Sequence, residues 1–440
     1  GKTIIEHVSK EGHSLDIVDN NREKVEELIE RYDVMGVVGN GASLDIQEEA
    51  GVKSADLVIA VTPEDEINIL ASMVAKKLGA SSTIARVRNP EYLRQTKLMQ
   101  EELGLSMVVN PEQETADEII NMVNLPSLLK LEPFAKGKVN LVEILVEENN
   151  PLIGETLITM SKKIKTKVLI CAIQRASHVI IPNGNFKIEQ GDRLSITANA
   201  SSLVTFLKEL NLIKSPLKNI MIIGGGKISY YLAKELSNKK YHIKLIEMNK
   251  NRAEEMAEAL PKVDVICGDG TDHDLLIEEG IEASDGCICL TNVDEENIIV
   301  SIYATRLKIK KVIAKIKRNS FLTMVNDLGI ASIVSPKDIV ASKIISYIRA
   351  LSNKRGSNVL TLYKLVNNQV EALEFDAKKK EKFYNKPLKD LNIKENCLIA
   401  CIIRDGNVLI PSGNDCIQLN DRVLVVTTHQ QFDDLMDAFE

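Results

Sequence analysis

The sequence predicts an α/β chain: two doubly wound parallel-sheet domains, each followed by a small α+β module rich in strands. Three observations predict it. The 440 residues form a tandem repeat, each half opens with short Val/Ile-rich strands alternating with amphipathic helices, and each half then turns strand-dense, at residues 139–200 and 359–428. Strands without period-two polar alternation are buried on both faces, as in a parallel sheet with helices on each side.

Matched positions define the repeat. Gly39, Thr62 and Asn68 fall 229 positions before Gly268, Thr291 and Asn297, in segments that read Gly39-Asn-Gly-Ala against Gly268-Asp-Gly-Thr and Thr62-Pro-Glu-Asp-Glu-Ile-Asn against Thr291-Asn-Val-Asp-Glu-Glu-Asn. Gly104 and Gly329 are 225 apart, and the spacing returns to 229 at Pro182/Pro411 and Asp192-Arg193/Asp421-Arg422, so one short indel is balanced later.

In the second copy, strands are expected at Lys218–Ile223, His242–Glu247, Asp264–Cys267, Gly286–Leu290, Lys311–Ile316 and Ser332–Val334. Helices are expected between them, at about Ile228–Ser237, Asn251–Ala259, Thr271–Glu279, Glu295–Arg306 and Ser320–Leu328. The first copy repeats this from Ser14–Val18 onward. Gly1 aligns with Ser229, so an opening strand and two turn glycines are expected to precede it, in roughly two dozen residues or fewer by the length of a first strand–turn unit. Pro111 and Pro336 introduce long helices, Glu112–Val123 and Lys337–Leu351, followed by polar breakers at Pro126–Lys138 and Ser352–Asn358. The apolar positions Ile119, Ile120, Met122, Val123 and Ile339, Val340, Ile344, Ile345, Ile348 exceed what a solvated helix needs; they suit crossovers onto a neighbouring nucleotide fold, or core within one chain. The β-rich modules read as Val139–Val146, Lys167–Gln174, His178–Ile181 and Arg193–Thr197, then Val359–Leu365, Cys397–Arg404, Val408–Ile410 and Arg422–Thr427, with a hairpin at Arg404-Asp-Gly-Asn407. Domains are placed at 1–126, 135–212, 217–352 and 357–440.

The bulk numbers exclude some functions. A net charge of −7, with 55 Lys+Arg against 62 Asp+Glu, lacks the basic face that phosphate neutralisation requires, so nucleic acid is a poor partner. Seven cysteines without a CxxC pair suit a reducing compartment, and Cys287 and Cys289 point to one face of a buried strand. No apolar run approaches the ~18 residues that span a bilayer. The chain reads as soluble, with a membrane protein as a conceivable partner.

Candidate binding residues cluster at strand ends. The run Lys218-Asn-Ile-Met-Ile-Ile-Gly224-Gly225-Gly226-Lys227-Ile228-Ser229 is a strand, a glycine turn and a helix start, the layout of a Rossmann-like first unit. Gly224 permits the turn, Gly226 lets backbone N–H groups approach a pyrophosphate, and Ser229 stands where the fingerprint has Gly or Ala. Glu247, 21 residues beyond Gly226, and Asp19 in the first copy end the next strand, where a carboxylate takes ribose hydroxyls and repels a 2′-phosphate. Asp269-Gly270-Thr271 and Asn40-Gly41-Ala42 form close-approach loops for an adenine ring, or turns only. Thr62 and Thr291 contact phosphate or ribose, or cap the next helix. Arg86 and Lys315, with Arg88 and Lys317 two residues on, meet ligand phosphates or make salt bridges. No catalytic residue and no metal site is read: the six histidines are scattered, and His273 reads as surface helix.

In this order, the glycine turn, strand-end acid, Gly-Asp-Gly-Thr loop, Thr-x-x-Asp-Glu-x-Asn segment, Ala-Lys-Ile-Lys strand and Leu-Gly-Ile-x-x-Ile-Val-Ser-Pro run resemble the regulator-of-potassium-conductance (RCK, or KTN) family across essentially the whole chain. Its doubled arrangement is similar to the peripheral subunits of Trk potassium uptake systems. The resemblance implies a non-enzymatic cytoplasmic regulator, peripheral at the inner face of the membrane. Such a regulator assembles into a ring, a homotetramer or homodimer, beneath an integral membrane potassium transporter and gates it through NAD/NADH or ATP/ADP. It maps Gly224, Gly226, Glu247, Asp269, Thr271, Thr291 and Lys315 onto a second site, and Gly1, Asp19, Asn40, Thr62 and Arg86 onto a first. Ser229 and the Asn40-Gly-Ala42 loop depart from the pattern, so the two sites are expected to differ. The rival readings are an NAD-dependent oxidoreductase and a scaffold with degenerate sites.

Overall fold

The computed structural model describes residues 1–9, 12–124, 130–134, 139–176, 178–210, 212, 217–239, 241–318, 320–321, 325, 330, 332–352, 359–365, 370–378, 381–428, 432 and 434–440. The chain divides into two compact units, Gly1–Thr115 with Ser335–Ile348, and Ala116–Val334 with Arg349–Glu440.

The first unit runs α1 (Lys2–Ser9), β1 (Asp16–Asp19), α2 (Arg22–Arg31), β2 (Met35–Val38), α3 (Leu44–Glu49), β3 (Leu57–Ala60), α4 (Asp65–Leu78), β4 (Ser82–Arg86), α5 (Pro90–Leu93), α6 (Thr96–Glu101), β5 (Met107–Val109) and the start of α7 (Pro111–Asn124). Its parallel strands form two pieces, β1-β2 and β3-β4-β5. Among the described residues no strand joins them.

The second unit carries the β-rich modules and the second parallel sheet. The first module is β6 (Lys130–Phe134), β7 (Val139–Leu145), α8 (Leu157–Lys163), β8 (Leu169–Arg175), β9 (His178–Ile180), β10 (Arg193–Ala198) and α9 (Ala200–Glu209). The parallel sheet follows: β11 (Asn219–Ile223), α10 (Lys227–Ser237), β12 (His242–Glu247), α11 (Lys250–Ala259), β13 (Asp264–Cys267), α12 (His273–Glu278), β14 (Gly286–Cys289), α13 (Asp294–Arg306), β15 (Lys311–Lys315) and β16 (Ser332–Val334). Its strand order, β13-β12-β11-β14-β15-β16, is the doubly wound order whose direction reverses between the first and fourth strands. Every neighbouring pair is parallel. Cys287 and Cys289 are both fully buried there, so they are core, as their shared face requires.

The helix after β16, α14 (Pro336–Ser352), supplies Val340, Ile344, Ile345 and Ile348 to a core with Val8, Ile84 and Val109. Thus the second copy's helix completes the first copy's fold, and Lys343 on it pairs with Glu114. The C-terminal part of α7 belongs in turn to the second unit, where the Tyr241 hydroxyl donates to Asn124 Oδ1 at 3.2 Å. For α14 the apolar residues are core within one chain, packed on the nucleotide fold of the first copy.

The second module is β17 (Val359–Leu365), β18 (Val370–Asp376), β19 (Cys397–Arg404), β20 (Asn407–Leu409) and β21 (Arg422–Thr427), in the order β17-β18-β21-β19-β20 that repeats β6-β7-β10-β8-β9. Alternate residues split each sheet between two cores. Val142, Ile144, Leu194 and Ile196 pack under α9, while Leu141, Cys171 and Ala172 meet Ala372, Cys401, Leu424 and Val426, so the two modules share a buried face. Thr197 Oγ1 donates across it to the Ala400 carbonyl at 3.2 Å.

Several sequence expectations are corrected. Lys130–Phe134, read as a breaker, is an edge strand on β7, where Pro133 removes no ladder bond that an inner strand would need. Strand β18 and helices α8 and α9 were not anticipated. Much of the expected helix Ser320–Leu328 lies outside the described residues. The hairpin at Arg404–Asn407 is as expected: Arg404 pairs with Asn407, and Asp405 and Gly406 take φ of 51° and 79°, a two-residue turn with both central residues left-handed.

Candidate functional site

The glycine turn of the second copy stands at the point where strand order reverses. Gly224 has φ +98°, and a Cβ there would lie 3.0 Å from the backbone N and Cα of Thr291, at the end of the fourth strand. Only glycine closes this crevice. Gly224 N–H donates to the Ile246 carbonyl at 2.8 Å, fastening the turn to β12. Gly226 is the N-cap of α10, makes no side-chain cap bond, is exposed, and would meet nothing within 4 Å if it carried a Cβ. The helix therefore presents its positive end to open space, a cradle for a phosphate. Ser229 is fully buried and its hydroxyl donates back to the Gly224 carbonyl, so the small residue at the third fingerprint position braces the turn instead of facing a ligand.

Glu247 ends β12 as expected. Its Oε2 accepts from Gly225 N–H at 2.6 Å and its Oε1 from Asn249 N–H at 2.8 Å. A Cβ on Gly225 would fall 2.9 Å from Oε2, which explains a glycine where the fingerprint leaves the residue free. Asp269 Oδ1 accepts from both the N–H and the hydroxyl of Thr271 at 2.8 Å; these bonds hold its carboxyl below the usual range. Gly270 is buried, and a Cβ there would clash with Ile223 Cγ2 at 2.4 Å, so this loop needs glycine to pass the first strand.

Thr291 Oγ1 turns back on its own loop, accepting from Val293 N–H at 3.2 Å and lying 3.1 Å from the Val293 carbonyl to which it donates; Val293, the N-cap of α13, has no side-chain cap bond. Lys315 is buried, and its ammonium donates to the Leu290 carbonyl at 2.8 Å. Behind both stands Asn297, fully buried, which accepts from Thr291 N–H at 2.9 Å and donates to the carbonyls of Thr291 and Lys315 at 3.2 and 2.9 Å. Asp294 accepts from the backbone N–H of Lys317 and Arg318. The Thr-x-x-Asp-Glu-x-Asn segment thus pegs two strand ends together. The sequence reading saw these residues as repeat markers and missed this role.

The first copy has the same pegs. Asn68 binds Thr62 N–H at 2.7 Å and the carbonyls of Thr62 and Arg86 at 3.0 and 2.9 Å, and Asp65 accepts from Arg88 and Asn89 N–H. Asp19 accepts from Asn21 N–H at 2.9 Å, and Asn40 from Ala42 N–H at 3.0 Å. Gly1, the residue before α1, is exposed, and a Cβ on it would meet nothing within 4 Å. Gly41 follows Asn40 in the loop and has open space around it, Val18 Cγ1 lying 3.9 Å from its Cβ position. Arg86 differs from Lys315. One terminal nitrogen donates to the Thr62 carbonyl, but its buried Nε has no partner among the described residues, and burial, with Arg88 nearby, lowers its pKa. An under-partnered guanidinium at a sheet's carboxyl edge fits an anionic ligand. Arg88 is instead satisfied by Glu112, at 2.7 Å from Nε, which raises its pKa.

His273 is exposed at the start of α12, its ring against Tyr303. Among the described residues no group of His, Cys, Asp and Glu is arranged to hold a metal, and no helix is long and apolar enough to cross a membrane.

Comparison with known proteins agrees with this architecture. The TrkA-N domain family matches residues 1–111 and 220–336, and the TrkA-C domain family matches 141–211 and 373–440. The chain is 32% identical to the Trk system potassium uptake protein TrkA of Vibrio alginolyticus, over 98% of this chain and 94% of that protein. It is 31% identical to the Trk system potassium uptake protein TrkA homolog 1 of Methanosarcina mazei, over 93% of this chain and 91% of that one. Among solved structures, the GsuK channel superposes with a TM-score of 0.64 at 18% identity, over 97% of this chain and 74% of that one, and a GsuK channel bound to NAD with 0.62. With tandem TrkA-N and TrkA-C domains and similarity along nearly its full length, the chain belongs to the TrkA family of Trk system potassium uptake proteins.

Proposed function

We propose that the chain is a nucleotide-sensing regulatory subunit of a Trk-type potassium uptake system, and not an enzyme. The observation that carries the reading is the second-copy cradle: a switch-point glycine turn, an uncapped helix end at Gly226 and the strand-end acid Glu247, in a chain whose relatives are named potassium uptake proteins. In this reading Gly224, Gly226, Glu247, Asp269, Gly270 and Thr271 hold an adenine nucleotide at the second site. Gly1, Asp19, Asn40, Gly41 and Arg86 line the first. Ser229, Thr62, Thr291 and Lys315 shape the strand ends beneath them. The four-part division at 1–126, 135–212, 217–352 and 357–440 is part of the proposal.

The ligand class is NAD/NADH or ATP/ADP; relatives in fold include a GsuK channel bound to NAD and a GsuK bound to ADP. A bound nucleotide supplies negative charge and a rigid bridge across the sheet edge. It gates only if it binds one arrangement of the assembly more tightly than another. The assembly is a ring of two or four chains, at the cytoplasmic face of the membrane against an integral potassium transporter. Potassium flux through that transporter in vesicles tests the reading. Flux should change when the chain is added and change again, saturably, with one nucleotide; flux indifferent to every nucleotide would reject it. Steady oxidation of NADH with a panel of metabolites would instead establish the oxidoreductase.

A further inference from the structure

Arg252 was not singled out in the sequence, yet it reaches the centre of the second site. It sits in the first turn of α11, five residues after Glu247, with its backbone N–H accepted by the N-cap Asn249. Its Nε donates to the Gly225 carbonyl at 2.8 Å and NH1 meets Glu255 Oε2 at 2.8 Å. Its third nitrogen, NH2, has no hydrogen-bond partner among the described residues. Glu247 meanwhile holds the N–H of the same Gly225 at 2.6 Å. One buried glycine of the turn is therefore clamped on its N–H by a carboxylate and on its carbonyl by a guanidinium. No hydrogen bond joins the two charged groups.

This placement bears on the ribose. A carboxylate at the end of the second strand takes the adenosine 2′-hydroxyl, whereas a nearby arginine accommodates a 2′-phosphate. Here both groups flank the same residue, with the arginine fixed at two of its three nitrogens and its fork open at the third. We propose that Arg252 is a specificity-determining residue that forms a latent seat for an adenosine 2′-phosphate, and that Glu247 alone keeps this seat closed. The inference rests on the nucleotide-site reading above. The first copy repeats the spacing with Asp19 and Lys24, and Asn21 caps Lys24 N–H as Asn249 caps Arg252 N–H. A lysine there lacks the planar fork, so the latent seat belongs to the second copy.

The test is titration of NADH and NADPH against the full chain, its Glu247→Ser variant and the double variant Glu247→Ser/Arg252→Gln. In Glu247→Ser the ratio of NADPH to NADH affinity should rise by about tenfold or more, the scale of one charge-assisted phosphate contact. The double variant should lose that gain. A ratio that does not move in Glu247→Ser, or a gain that survives loss of Arg252, overturns the proposal. If the unsubstituted chain binds neither dinucleotide, titration of ATP and ADP separates the outcomes: binding of either overturns this proposal alone, and binding of none rejects the nucleotide-site reading as well. Should Glu247→Ser unfold, as monitored by circular dichroism, the isosteric Glu247→Gln repeats the comparison with the same two outcomes.

Discussion

The two copies of the nucleotide fold agree at the buried residues that peg their strand ends and diverge at the loops and strand ends where the proposed ligand would lie. Asn68 and Asn297 make the same three bonds, and Asp65 and Asp294 peg the same following strand. The loop and strand-end positions beside them differ: Asn40-Gly-Ala42 against Asp269-Gly-Thr271, Asp19 against Glu247, an under-partnered Arg86 against a buried Lys315 bonded to Leu290. Duplication followed by drift accounts for this. A buried amide with three partners cannot change without orphaning backbone groups, whereas a surface contact costs little to alter. The scaffold is shared, and ligand choice is free to separate.

The largest expected effect breaks the shared part. Asn297→Ala and Asn68→Ala should each cost about 3 kcal/mol, because each orphans one N–H and two carbonyls. Hydrogen exchange should localise the loss to Gly286–Cys289 and to Leu57–Ala60 respectively. Strongly unequal losses would mean that the copies are alike in geometry but not in energy. Next, Gly224→Ala places a Cβ 3.0 Å from the Thr291 backbone in a left-handed conformation. It should cost about 2 kcal/mol and abolish nucleotide binding at the second site only.

A sharper contrast concerns the two cations. Arg86→Ala should weaken ATP by about tenfold relative to adenosine, the value of a charge-assisted phosphate contact. Lys315→Ala should weaken ATP and adenosine alike, since its ammonium serves the Leu290 carbonyl. Calorimetry on both ligands decides; a phosphate-selective loss at Lys315 would return that residue to the ligand.

The smallest effect is acid sensitivity at the opposite end of the sheet. Burial pushes the Asp285 carboxyl up, but hydrogen bonds from Lys310, Asn219 and Lys218 outweigh it and hold the pKa at about 2 against an ordinary 3.8. A depressed folded pKa gives stability that is present above about pH 4 and is lost as the pH falls toward 2. Asp285→Asn should flatten that limb of the unfolding curve and leave its shape above pH 5 unchanged.

Much of the fold was legible because parallel strands announce themselves. The inner strands of the second sheet contain runs such as Ile220–Ile223 and Val312–Ala314, buried on both faces. Strand β18 was not legible, because Glu371 and Glu374 interrupt its apolar run and become buried only through pairing with β21 and the facing module. Edge strand β6 was hidden by Pro133 and its charged neighbours. At the site, the glycine turn and the strand-end acid could be read from spacing. Arg252 could not, since its role depends on a carbonyl 27 residues earlier that only the turn brings near. Thr291, Lys315 and Ser229 were read as site residues, but the Thr291 hydroxyl, the Lys315 ammonium and the Ser229 hydroxyl each bond the protein's own backbone.

The most direct test of two diverged nucleotide sites is isothermal titration of NADH, NAD, ATP and ADP against the full chain, Asp19→Ala and Glu247→Ala. The account predicts binding in the micromolar range, a common strength for such sites at about −8 kcal/mol, with each substitution removing one site and leaving the other's ligand preference intact. Binding that neither substitution alters, or no binding of any of the four, would contradict it.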